Sequence, residues 1–422
     1  MLCSVQNEAD LFRKRTSRNR YFANSSDRDP ESVNQLRTGD SGPCAEANAN
    51  CEVCPTPKLR AASPADYPFI RSLLIANDLR AFSFERWMQL WRENPAQRNW
   101  PTECPAGWVL EADHNEIVGY VGNIPLLYWF RGRELRAASG SGLVVSKSYR
   151  PYAMLLLDSL IEQEGLDLLI NTTVSAVAEP ILKFFEFSRV PVGEWDKSQF
   201  WITNCLGFSR SVLRAKSIPA ASALSYFMGP VLSCKNGFQS KLNGGSLKVE
   251  QCTDFDERFD VFWEKLKIQN NDVLLGVRNR ETLAWRFHHA LSEQNAWVLT
   301  VSQAGQLVGY AIFDRLDSAR FHLKRVRLID FQALKDSEQM LSAFLASMLD
   351  ACRTDGVHVL EVTGCWLDRL GFTAISPPHE RSLGCWTSYY LAKEKGLSET
   401  LKDPSVWAPS GFDGDSSLLS FS

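Results

Sequence analysis

Lys147 and Arg150 flank the point where an apolar run gives way to helical spacing. The first turn of a helix presents backbone N–H groups without partners, and its aligned peptide dipoles favour an anion. Two cations beside such a start make a candidate phosphate site. The surrounding residues supply the elements it needs. Gly142-Leu143-Val144-Val145 suits a buried strand. Arg150-Pro151 opens a helix, because proline at the first helical position gives up only an N–H that had no partner. Met154, Leu157, Leu160 and Ile161 follow at helical spacing, and Gly165 is placed to end the helix. Residues 166–170 read as a second buried strand, closed by Asn171-Thr172-Thr173. The same pattern also suits an ordinary strand–helix–strand crossover with no ligand.

Other chemistry has weaker support. Cys44, Cys51 and Cys54 lack a fourth ligand and a paired knuckle spacing, so no metal site is expected. His288 and His289 are adjacent and would face different sides of a helix. No Ser/His/Asp or Cys/His set stands out. A net charge of −3 argues against a nucleic-acid binder that neutralises phosphates. No apolar run approaches the roughly 20 residues that span a bilayer. The first residues lack the basic-then-apolar order of a secretory signal, and the 11 scattered cysteines suit a reducing cytoplasm.

Residues 1–57 are rich in Asn, Ser, Asp and Arg and poor in aliphatics, which predicts a disordered tail. Order begins at Ser63-Pro64-Ala65-Asp66, a helix cap with a carboxylate in the first turn. A second helix is expected over 83–94, with Trp87, Met88 and Trp91 on one face and Pro95 as its stop. Strands over 107–112, 117–130 and from Glu134 onward, separated by turn residues, read as an antiparallel meander. A parallel crossover follows, so the order is α+β.

The second half repeats the first. Trp108-Val109-Leu110 and Val118-Gly119-Tyr120 recur as Trp297-Val298-Leu299 and Val308-Gly309-Tyr310. Downstream, Phe185-Glu186-Phe187 with Val190 corresponds to Leu370-Gly371-Phe372 with Ile375. Spacing kept through a whole module is the mark of an internal duplication.

On these markers the chain resembles the GNAT superfamily of acyl-CoA N-acyltransferases, in tandem. The implied architecture is two mixed-sheet α/β sandwiches. Residues 58–208 make the first domain, 209–246 a linker, 247–392 a degenerate second domain and 393–422 a tail. The resemblance implies that the pantetheine arm of acetyl-CoA or another acyl-CoA pairs with Leu143, Val144 and Val145. It places the pyrophosphate on Arg150, Tyr152, Ala153, Met154 and Leu155.

The departures matter too. Ala153 and Leu155 stand where the family loop has small residues that let backbone N–H groups approach the phosphates; Leu155 should crowd a ligand unless it turns inward. The family's acid tyrosine has Leu182 and Leu367 in its places. The second copy has only Asp330-Phe331-Gln332-Ala333 where the loop belongs, so the first is the expected cofactor site.

Amine acylation needs an oxyanion donor and a group to take the amine proton. Backbone N–H groups near Val144 and Val145 suit the first task. Asn171 could orient the amine or a water, Glu111 and Glu134 are candidate bases by strand position, and Tyr120 and Tyr152 are candidate acids. The leading expectation is an N-acyltransferase acting on a small amine, an amino sugar or amino acid. A non-catalytic protein that keeps the fold for binding or assembly is the alternative. A Fem-like aminoacyltransferase comes third, because neither a basic groove nor a coiled-coil arm is evident.

Overall fold

The computed structural model describes residues 56–191, 197–216, 247–370, 377, 379–382 and 387–418. Cys44, Cys51 and Cys54 and the Gly371-Phe372 marker lie outside them. The described residues from Pro57 onward form one compact unit.

The chain opens with β1 (Lys58–Ala61), α1 (Tyr67–Ala76) and α2 (Phe84–Arg92). The Ser63/Asp66 capping box forms as the sequence predicts, and the Ser83 side chain accepts from Arg86 N–H to start α2. The predicted meander follows as β2 (Gly107–Glu111), β3 (Ile117–Phe130) and β4 (Arg133–Val145), paired antiparallel. Then come α3 (Ala153–Ile161), β5 (Leu168–Asn171), α4 (Glu179–Phe184), β6 (Ser188–Arg189) and β7 (Lys197–Ile202).

The stretch expected to begin a linker is instead helical to Ala215, in α5 (Cys205–Ala215). The second copy comprises β8 (Val249–Cys252), α6 (Glu257–Gln269), β9 (Leu275–Gly276), α7 (Arg280–Ser292), β10 (Ala296–Gln303), β11 (Gln306–Arg315), β12 (Arg325–Ala333), α8 (Ser337–Thr354) and β13 (Val359–Thr363). After the short α9 (Leu367–Leu370) come β14 (His379–Ser382), β15 (Tyr389–Ala392) and α10 (Lys395–Thr400).

Two mixed sheets result, of eight and seven strands. On one face of the first, Leu156, Leu157 and Leu160 of α3 pack with Ala138 and Leu169; on the other, Ile70, Leu74 and Trp87 pack with Val109, Tyr120 and Val144. The second sheet has the same layering. Phe344, Leu345 and Met348 of α8 cover Val326, Leu328 and Leu360, while Phe259, Phe262, Leu283 and Phe287 cover Tyr310, Ile312 and Ile329. The expected α+β fold with two mixed sheets is therefore the architecture of this chain.

The strand order adds what the repeat does not reveal. The first sheet runs β1-β2-β3-β4-β5-β15-β6 with β9 paired to β3 off this path, the second β14-β7-β13-β12-β11-β10-β8. Thus β15 lies between β5 and β6, and β7 lies between β13 and β14. Each sheet is completed by a strand from the far side of the expected boundary. Strands inserted between two others satisfy both of their backbone edges, and the buried Tyr389, Tyr390 and Trp201 anchor them in the cores.

Candidate active site

β4 and β5 run parallel but pair at only two rungs, Ala137 with Leu168 and Ala138 with Leu169. Beyond these the strands part. Against β3, Ser141 pairs with Gly122 and Val144 with Tyr120, so β4 holds one extra residue there. This is a β-bulge, and Gly142 within it has φ +62°, a left-handed conformation that favours glycine. A bulge bends its own strand, which carries Leu143 to Val145 off the line of β5. The β5-facing backbone of that stretch makes no ladder bond to β5.

Asn171, the last residue of β5, sits at the apex of this opening. Its Oδ1 accepts from Gly140 N–H at 3.3 Å and its Nδ2 donates to Gly140 O at 3.0 Å. A side-chain amide thus stands where the next peptide group of the ladder would have been. Gly140 has no room for a side chain, since a Cβ there would lie 2.6 Å from Leu160 Cδ2. One residue back, Ser139 Oγ is buried and has no hydrogen-bond partner among the described residues.

The loop after β4 differs from the predicted helix start. Lys147 to Tyr152 form a 3-10 turn, Pro151 lies inside it, and the α-helix begins only at Ala153. The tighter turn satisfies N–H groups that an open helix start would have left free: Tyr149 N–H donates to Ser146 O and Ala153 N–H to Arg150 O. Lys147 and Arg150 are exposed. Tyr152 and Ala153 pack on the core beneath, and Met154 is half-buried. Leu155, 37% exposed, stays at the surface and does not turn inward.

The structure does not bring Glu111 and Glu134 together with Asn171. Glu111 pairs with Arg60, which also binds Asp66 through two bonds of 2.7 Å. Those bonds hold the Asp66 carboxyl down at about 2. Glu134 is at the opposite end of β4, exposed and bonded to Asn99; at the rise of an extended strand that is about 20 Å from Gly140. Tyr120 is buried, its hydroxyl accepts from Trp87 Nε1 at 3.0 Å, and burial pushes its pKa up to about 12.

Sequence reasoning missed the part played by the C-terminal segment. Asp415 accepts from Thr172 N–H at 2.8 Å, from Thr172 Oγ1 at 2.9 Å and from Thr173 Oγ1, just past Asn171. In the second sheet Cys365 N–H donates to Pro409 O at 2.9 Å. Thr172 and Cys365 each lie three residues beyond the last parallel rung of their sheet, Leu169 and Val362. One short segment therefore caps the same backbone N–H in both copies. In the second copy it lies on the opening itself, where a Cβ at Gly411 would be 3.3 Å from Ile329 Cα.

There β12 also carries a bulge, but Asp330 beside it is a buried strut. It accepts from Arg278 Nε at 2.8 Å and from Tyr310 OH at 2.9 Å. The only local signal for the tail's role was its composition, since Phe412-Asp413-Gly414-Asp415 combines turn residues with a large apolar ring.

No family model and no curated protein matches the sequence. Solved structures do. A GCN5-related N-acetyltransferase from Kribbella flavida superposes with a TM-score of 0.51 at 11% identity, over 80% of this chain and 71% of that one. A probable N-acyltransferase from Enterococcus faecalis V583, described as a conserved protein of unknown function, gives 0.50 at 11% identity over 80% and 73%. The Saccharomyces cerevisiae N-myristoyltransferase with bound myristoyl-CoA gives 0.48 at 12% identity over 86% and 85%. At these identities the likeness to the first two is one of fold.

Proposed function

We propose that this chain, which has the GCN5-related N-acetyltransferase fold, transfers an acyl group from an acyl-CoA thioester to the amine of a small molecule at the first sheet's opening. One observation carries the reading: β4 and β5 part after two rungs, and Ser141 to Val145 offer β5-side backbone with no strand against it. An extended arm with its own amides, such as pantetheine, can pair there as a strand would. Lys147 and Arg150 at the loop suit phosphate charge. The loop fits less well by its sterics, because its N–H groups are partly turned inward and Ala153 and Leu155 replace small residues.

In the reaction the amine nitrogen attacks the thioester carbonyl and the C–S bond breaks. The thiol leaves with a proton, and the amine gives up one of its own. Backbone N–H groups of the bulged strand are suited to bear the oxyanion. Neither Glu111 nor Glu134 is placed to take the amine proton, so water at the opening is the acceptor in this reading.

Calorimetry with acetyl-CoA tests it: micromolar affinity that falls about tenfold in Arg150→Ala is expected, the equivalent of about 1.4 kcal/mol for one exposed charge-assisted contact. A second reading, a non-catalytic binding or assembly protein, draws support from the glycine-free loop and the distant carboxylates. Absence of heat at millimolar acetyl-CoA would leave that reading standing.

A further inference from the structure

We propose that the pantetheine arm entering the first sheet's opening is carried on an acyl carrier protein, a small acidic domain with phosphopantetheine on a serine, which docks on the rim of that opening. The donor assignment rests on the acyl-transfer reading above, since it concerns the same opening. Acetyl-CoA then serves as a weaker donor, through the arm that the two share.

β4 and β5 are parallel, so the segments that follow them leave the sheet at the same end and together form the rim. On the β4 side Lys147 and Arg150 are exposed, and no hydrogen bond or ion pair engages either side chain among the described residues. Asp158, the next acid along α3, lies almost a full turn beyond Leu155. On the β5 side, Glu179 is bound by Lys183 at 2.8 Å and by Arg189 at 2.5 Å, which leaves that trio net positive. The rim is thus basic, on a chain whose net charge is −3.

The phosphate end decides between the two carriers of the arm. CoA brings a pyrophosphate, which calls for a cradle of free backbone N–H groups. Here Tyr149 N–H is closed on Ser146 O and Ala153 N–H on Arg150 O. A carrier-borne arm brings a single phosphodiester with one negative charge, and two unpaired cations answer it without a cradle. Beyond the phosphate, CoA continues as a nucleotide and the carrier as a protein surface. The rim suits the second. Val177 is 84% exposed, Phe184 72% and Leu155 37%. The Phe184 ring is braced edge-on by Phe185, with centroids 5.5 Å apart. One such side chain in water is ordinary, but three beside unpaired cations have the make-up of a docking face for an acidic partner.

In the transfer the thioester C–S bond breaks and the C–N bond forms. The proton lost by the amine is balanced by one gained, through solvent, by the sulfur, which stays on the carrier's arm as a thiol.

The test uses the full chain and three probes: an acetylated carrier protein of the fatty-acid-synthesis type, the same carrier without its arm, and acetyl-pantetheine. Calorimetry should show the acetylated carrier binding at least tenfold tighter than acetyl-pantetheine, and weakening as salt rises. Removing the arm should weaken the carrier at least tenfold. Val177→Asp should weaken the acetylated carrier at least tenfold and leave acetyl-pantetheine unchanged. A carrier that binds no tighter than acetyl-pantetheine, or that ignores Val177→Asp, overturns the donor assignment; acetyl-CoA binding in that protein would keep the acyl-CoA reading. If acetyl-pantetheine and acetyl-CoA give no heat and the armless carrier binds as the loaded one does, the acyl-transfer reading falls and the donor assignment falls with it.

Discussion

Asn171 directs both ends of its side-chain amide at one residue, Gly140, accepting from its N–H at 3.3 Å and donating to its carbonyl at 3.0 Å. The contact marks where sheet pairing stops and the opening begins. With both atoms engaged on the backbone, Asn171 positions the strand edge, and orienting an amine directly would require breaking one of these bonds.

Asn171→Ala should therefore destabilise the protein by about 1–3 kcal/mol, because Gly140 keeps two buried polar groups without partners. Urea unfolding would measure it. Asn171→Asp, which can accept but not donate, should fall between. A loss of turnover in Asn171→Ala with unchanged stability would instead make it a residue that touches substrate.

Asp415→Ala should cost about 2 kcal/mol, since it strips a charged acceptor from Thr172 N–H and from two hydroxyls. The tail caps both copies, so limited proteolysis should cut it faster in the variant than in the wild type. Intact resistance would mean that Pro409 and Phe412 anchor the segment without Asp415.

Glu361 gives a pH signature. It is 2% exposed on β13, where Arg325 is 3.3 Å away and Arg381 and Ser198 also contact it. Burial pushes its pKa up, but the two guanidinium groups and the hydroxyl prevail and hold it at about 2, below the ordinary value of 4.5. A depressed acid contributes stability above its unfolded pKa and loses it as pH falls toward the folded value. Wild type should thus lose on the order of 3 kcal/mol between about pH 4.5 and 2 that Glu361→Gln does not lose. Acid unfolding curves of the two proteins would show whether their separation closes in that window.

Strand exchange makes the halves interdependent. Expressed alone, residues 58–208 would leave the β5 edge without β15 and expose β7, a strand whose partners are absent. Such a fragment should be insoluble or aggregated, and soluble when co-expressed with residues 247–418. A monomeric, cooperatively melting 58–208 fragment would show that exchange is dispensable.

What the sequence determined is local. The Ser63/Asp66 capping box, the Ser83 cap, the three-strand meander and the repeated Trp-Val-Leu and Val-Gly-Tyr markers all follow from neighbours a few residues apart. Backbone propensity, turn chemistry and apolar period act at that range. The place of Asn171 at the end of β5 also follows from its flanks, but the engagement of its amide with Gly140 does not. The loop after β4 departs from its local pattern by one turn: proline fits both an α-helix start and a 3-10 turn, and which N–H groups close on Ser146 and Arg150 depends on how Tyr152 and Ala153 pack.

Tertiary structure alone decided the rest. Thr172 meets Asp415 across 243 residues, β15 enters the first sheet, and Glu111 and Glu134 are carried away from the opening. No periodicity encodes such pairings. A short apolar strand fits either sheet equally well by its own pattern, and its place is set by which edge leaves the fewest buried backbone groups without partners.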